Sequence, residues 1–181
     1  NFNSDAEKAD AYFWMARTYD EDLRDYQNAV NAYQKVKELG ASDILIAQAT
    51  YYSGVIYQKH LNDEDTALAL FQELVSNYGS HEDSNVQLMV SDANLRIPEL
   101  LIKLGRFDDA VKRAREVRDK AMASGSKDDK INAQYQLAYL LGEQAGEAAG
   151  SNPELSKQAS AEYIKVYDIT KPTSGLSEEM K

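Results

Sequence analysis

Four times along this chain a small residue precedes a large apolar one, an alanine follows in a second amphipathic stretch, and that stretch ends on another large apolar residue. The first copy reads Ala16, Tyr19, Ala29, Tyr33, Val36 and the second Gly54, Tyr57, Ala67, Phe71, Leu74; a third runs Leu101, Ala110, Ala114, Val117 and a fourth Ala138, Leu141, Ala159, Tyr163, Val166. Apolar residues recur at helical spacing within each stretch. A short helical pair cannot bury its apolar face alone, so self-similarity at a few tens of residues implies an all-α solenoid whose pairs bury one another.

Start and stop signals divide the copies into helices. Ser4 followed by Glu7 reads as a capping box opening a helix over about 5–20. Gly40 is a natural stop for its partner at about 24–39. The short joining stretch makes the two antiparallel. Ser42 caps the next pair, whose helices flank a polar turn at His60 to Asp63 and end near Tyr78. Further pairs follow at 84–104 with 107–123, and at 128–147 with 153–169, where Asn152 and Pro153 form an N-cap and first turn. Four hairpins are therefore expected, at about 5–39, 42–78, 84–123 and 128–169, in a single domain over 1–170. Residues 171–181 read as a tail or as the start of a further helix.

The copies are unequal. Successive marker alanines (29, 67, 110, 159) lie 38, 43 and 49 residues apart, and Gly142 to Pro153 is a Gly/Ala/Ser-rich insertion. Pro98 falls inside the third pair's first helix, where a missing backbone donor costs about 3 kcal/mol unless packing compensates. A packing kink and a binding hinge both fit it.

Charge and composition exclude several function classes. Residues 1–90 carry 15 acidic and 6 basic side chains and residues 91–181 carry 15 and 14, so the first half would repel a phosphate backbone. Arg106, Lys112, Arg113, Arg115, Arg118 and Lys120 are interleaved with Asp108, Asp109, Glu116 and Asp119, and read as a solvated helix face with i,i+4 pairs. No nucleic-acid partner is expected. With no cysteine, disulfides, thiolate metal sites and cysteine nucleophiles are absent. No apolar run approaches the roughly 18 residues of a membrane span. The first residue, Asn1, is not methionine, which leaves room for a removed targeting segment.

Catalytic constellations are missing too. His60 with Asp63, Glu64 and Asp65, and His81 with Glu82 and Asp83, lack the spacing of zinc or calcium motifs and read as polar turns. No nucleophile elbow, phosphate-cradling loop or dinucleotide fingerprint occurs. The expectation is a non-enzymatic chain with no cofactor, metal or catalytic residue.

The residues Ala16-Tyr19, Tyr26-Ala29-Tyr33 and, above all, Leu104-Gly105-Arg106-Phe107-Asp108-Asp109-Ala110 resemble tetratricopeptide repeats. The resemblance covers about 5–169 and implies a right-handed superhelix in which Gly54 meets Ala67 and Ala138 meets Ala159. The chain departs from the family in Pro98, which takes a small-residue slot, in Ala114, which replaces an aromatic, and in repeats longer than about 34 residues. Ala69 to Ser80 is similar to the unit ends of bacterial envelope assembly proteins of this family, although Gly79 stands where they carry proline. That similarity implies the periplasm or cell envelope.

In this family the first helix of each pair lines the concave face, which the resemblance assigns here to Phe13, Arg17, Tyr51, Val55, Gln58, Leu95, Glu99, Ile102, Tyr135 and Tyr139. Aromatics at Phe13, Tyr51 and Tyr135 suit a peptide or partner helix, because a tyrosine couples apolar area to one hydroxyl. For Tyr51 and Tyr135, coverage by a neighbouring helix or a second copy is the competing reading. Tyr19, Tyr33, Tyr57 and Tyr163 read as core. The lysines and asparagines with which chaperone-tail binders clamp a terminal carboxylate are absent. The expected function is a scaffold for a protein segment, the alternative a self-associating structural module or homo-oligomer.

Overall fold

A computed structural model describes residues 4–147 and 152–171, the side chains of Ser124 and Glu147 excepted. Among these residues there are eight α-helices and no strand: α1 (Asp5–Arg17), α2 (Tyr26–Glu38), α3 (Asp43–Ile56), α4 (Glu64–Tyr78), α5 (Ser84–Lys103), α6 (Phe107–Ser124), α7 (Lys127–Glu147) and α8 (Pro153–Thr170). The fold is an all-α solenoid of helical hairpins. The chain divides into two compact units, Asn1–Gly105 and Arg106–Lys181, so α5 and α6 of the expected third hairpin belong to different units. In the first unit each helix packs on the next from α1 to α5, and in the second α6 packs on α7 and α7 on α8. The centre of the 142–153 insertion and the tail beyond Lys171 lie outside the described residues.

Local chemistry fixes the helix ends. Ser4 Oγ accepts from the Glu7 amide at 3.2 Å while the Glu7 carboxylate accepts from the Ser4 amide at 3.1 Å, closing the box. Ser42 and Asn152 cap α3 and α8, and Asp25, Asp63 and Asp83 cap α2, α4 and α5. Gly40 turns left-handed, with φ +63°.

The hairpin turns differ from expectation. Helices α1 and α3 widen into π-helical last turns, Thr18–Asp22 and Tyr57–Leu61, and His60, expected in a loop, sits in the second. Each wide turn closes when an aspartate amide, Asp25 or Asp63, donates to a tyrosine carbonyl six residues back, Tyr19 at 2.8 Å or Tyr57 at 3.1 Å. Polar residues in a wide turn look like a loop in sequence, and only the ladder distinguishes them. The His60 ring stacks on Tyr26 at 3.9 Å and ties the second turn to α2.

The core is built from alanines set against rings. Ala16, Ala29, Ala49 and Ala67 are fully buried, as are Tyr33 and Phe71. Gly54 lies so close to Phe71 that a Cβ there would come within 2.9 Å of the ring. Across α1 and α2, Phe13 meets Tyr33 edge-on with centroids 5.7 Å apart, and across α3 and α4, Tyr51 meets Phe71 at 6.2 Å. Pro98 is buried inside α5, and the helix runs through it.

The second unit uses a different device. Where Ala32 is buried in α2, the matching position of α8 is the buried Glu162. Its carboxylate accepts from Gln134 of α7 at 2.6 Å and from Lys165 at 2.8 and 2.9 Å, with Arg118 of α6 at 3.8 Å. Burial alone would push Glu162 up, but the bonds from Lys165 and Gln134 and the charges of Lys165 and Arg118 outweigh it and hold the carboxyl below its ordinary value. Two expectations change here. Arg106 pairs with Asp109 and Arg113 with Glu116 at i,i+3 spacing, and Arg118, expected on the solvated face, pairs with Asp119 and turns inward to Glu162. Tyr163, expected in the core, is 39% exposed, edge-on to Tyr135.

Gly54→Ala should lower unfolding stability by about 1–3 kcal/mol, since the enclosed Phe71 ring must move. Gly142→Ala, in the interior of α7 with open space around its Cβ, should instead raise it by about 0.5–1 kcal/mol. Chemical denaturation followed by circular dichroism measures both. Because Glu162 is held ionised below its unfolded value, its contribution is complete above about pH 4.5 and is lost as pH falls through the folded value. Glu162→Gln should therefore flatten the acid limb of the stability profile below that pH, as read by acid titration of the helical signal.

Candidate partner-binding face

The first helices of the first unit lie side by side, α1 against α3 and α3 against α5. Seven residues separate Ile44 from Tyr51 on α3 and Tyr51 from Gln58 in the wide turn that continues it, and likewise Leu88, Leu95 and Ile102 on α5, so each trio forms a stripe along one face. Leu88 is 70% exposed, and Ile44 and Leu95 are also exposed.

A polar network joins the two stripes. Tyr51 donates its hydroxyl to Asp92 Oδ2 at 2.9 Å; Arg96 pairs with the same carboxylate and donates to Gln58 Oε1 at 2.8 Å while its guanidinium lies 5.9 Å from the centre of the Phe71 ring. Burial, with the bond to Asp92 and that group's charge, pushes the Tyr51 phenol up to about 12. The network fixes the side chains in the middle of the face, leaving apolar groups exposed beside it. Such an arrangement offers apolar contact and oriented polar groups to a protein chain.

The structure distributes the sequence-derived residues unevenly. Tyr51, Val55, Gln58, Leu95, Glu99 and Ile102 share the α3–α5 face, with Glu99 exposed and Val55 and Ile102 half-buried. Arg17 lies on α1, paired with Glu21 and 4.8 Å from the centre of the Tyr52 ring. Phe13 is 6% exposed and belongs to the core, between Tyr33 and Tyr52. Tyr135 and Tyr139 stand exposed on α7 of the second unit. Sequence reasoning missed Ile44, Leu88, Asp92 and Arg96. The i,i+4 spacing of Asp92 and Arg96, and the seven-residue spacing of Ile44 and Leu88 from Tyr51 and Leu95, were the available signals.

Among the described residues no three His, Asp or Glu side chains gather as metal ligands, and no helix is long and apolar enough to cross a membrane. Repeated helical hairpins presenting a row of first helices define a helical-repeat interaction protein. Residues 10–39 and 48–81 match the tetratricopeptide repeat family, the two segments starting 38 residues apart as the marker alanines do. These two matches support a repeat protein of the tetratricopeptide family. No curated protein matches it. Repeats of this family generally mediate protein–protein interaction.

Tyr51→Phe should cost about 1 kcal/mol in unfolding stability through loss of the bond to Asp92. Because the folded state favours the neutral phenol, stability falls as pH rises from the unfolded value of 10 to about 12, and the variant should lose that part of the alkaline decline. Denaturation at neutral pH and across that window reads both effects.

Proposed function

We propose that the chain is a non-enzymatic scaffold whose α3–α5 face holds a protein segment with apolar anchors and flanking basic residues. The observation that carries this reading is Leu88, 70% exposed on the same stripe as Leu95 and one helix away from Ile44. Exposed leucine and isoleucine beside a fixed polar network suit an anchored side chain better than solvent. The charge of the partner follows from the first unit, where residues 1–105 hold 17 acidic and 8 basic side chains. A cationic segment would be drawn to it and an acidic one repelled. The likeness of Ala69 to Ser80 to envelope repeat proteins supports a role in assembling a bacterial envelope complex.

Selection of a displayed random-peptide library on the intact chain tests this. Enriched peptides should carry apolar anchors and net positive charge, should weaken as salt rises, and should lose affinity about tenfold on Leu88→Ser. Enrichment of acidic peptides, or equal binding to a Leu88→Ser/Ile44→Ser variant of wild-type helicity, would exclude this face.

A further inference from the structure

Both joints between hairpins in the first unit are made in one way. A T-shaped or tilted ring pair bridges the two helices of one hairpin, and a flat side chain from the next hairpin's first helix lies on it. At the first joint the pair is Phe13–Tyr33, and Tyr52 stacks on Tyr33 with centroids 6.0 Å apart and planes 20° from parallel. At the second the pair is Tyr51–Phe71, and Arg96 lies over Phe71 at 5.9 Å. Both receiving rings of the second helices, Tyr33 and Phe71, are fully buried as a result.

The same parts recur at two other places, where they are exposed. Tyr135 of α7 and Tyr163 of α8 form a third such pair, with centroids 5.7 Å apart and planes at 69°, nearly the 5.7 Å and 64° of Phe13–Tyr33. Its members are 54% and 39% exposed, and Tyr167 beside them is exposed too. The position of Tyr52 and Arg96 corresponds in α1 to Trp14, which follows Phe13 as Tyr52 follows Tyr51 and Arg96 follows Leu95. Trp14 is 68% exposed, with Met15 exposed next to it.

We infer that a second copy of this chain docks here, Trp14 of one copy lying on the Tyr135–Tyr163 pair of the other as Tyr52 lies on Phe13–Tyr33. The internal joint supplies the template for this contact: a ring pair of the same geometry and an inserting aromatic at the same register. Trp14 and the Tyr135–Tyr163 pair are different surfaces, so the contact is heterologous. It uses residues outside the α3–α5 face, and either contact can fail without the other.

Trp14 is the only tryptophan in the chain, which makes its fluorescence a direct reporter. The wild type should self-associate as its concentration rises, while Trp14→Ser and Tyr135→Ser should each remain monomeric at those concentrations with unchanged helicity, their association weakened about tenfold or more. Because the first variant retains the receiving end and the second the inserting end, mixing them should restore a one-to-one dimer. Titrating tryptophan-free Trp14→Ser into Tyr135→Ser should shift the Trp14 emission to the blue, and titrating the double variant should not. If Tyr135→Ser alters folding, Tyr167→Ser at the exposed edge of the same pair replaces it, with a smaller loss expected. A wild-type monomer at the highest soluble concentration would overturn the proposal. So would self-association of Trp14→Ser at wild-type strength, which would mark a tail-to-tail contact, or a mixture that leaves the Trp14 emission unmoved.

Discussion

Close approach of helices against a buried ring is the constraint on which the first unit depends. Gly54 and the alanines at 16, 29, 49 and 67 remove side-chain bulk where α-helices meet, and Phe71 and Tyr33 fill the space thus opened. Interiors pack at crystal-like density, so the distance between helices is set by the smallest residue at the contact and the orientation by the ring. The position of each first helix, and hence the row that α1, α3 and α5 form, follows from those contacts. Had the small residues been larger, the stripes of Tyr51 and Leu95 would not lie side by side.

Flat side chains carry the joints from hairpin to hairpin, and they tolerate chemical change. Tyr52 covers a tyrosine ring by stacking, and Arg96 covers a phenylalanine ring with a guanidinium plane, since both an aromatic face and a planar cation are attracted to a ring. Choosing arginine at the second joint has a further consequence. Its remaining donors reach Asp92 and Gln58 and organise the polar centre of the candidate binding face, so one residue serves the joint and the face together.

The second unit resolves the same packing task with polar chemistry. Glu162 stands where α2 has Ala32, and a buried carboxylate persists only when its oxygens are satisfied. Gln134, Lys165 and Arg118 meet that demand from three helices. A basic residue that sequence pattern assigned to solvent is thereby drawn inward.

The periodic small and large residues determined by themselves that the described residues fold as helices and that the chain resembles the tetratricopeptide repeat family. Caps at Ser4, Ser42 and Asn152, the stop at Gly40, and the core places of Tyr33 and Phe71 are local or periodic properties, legible because hydrogen bonding at a helix end and burial on one stripe depend on neighbours within a few positions. Tertiary structure alone decided that Phe13 is core while Leu88 is exposed, that Tyr163 is partly exposed, that Arg96 bridges Asp92 and Gln58, and that the helices of the expected third hairpin fall into separate units. Those outcomes depend on which helix lies on the far side of a residue. A helical period specifies that a face is apolar, but what covers it is set by contacts distant in the chain.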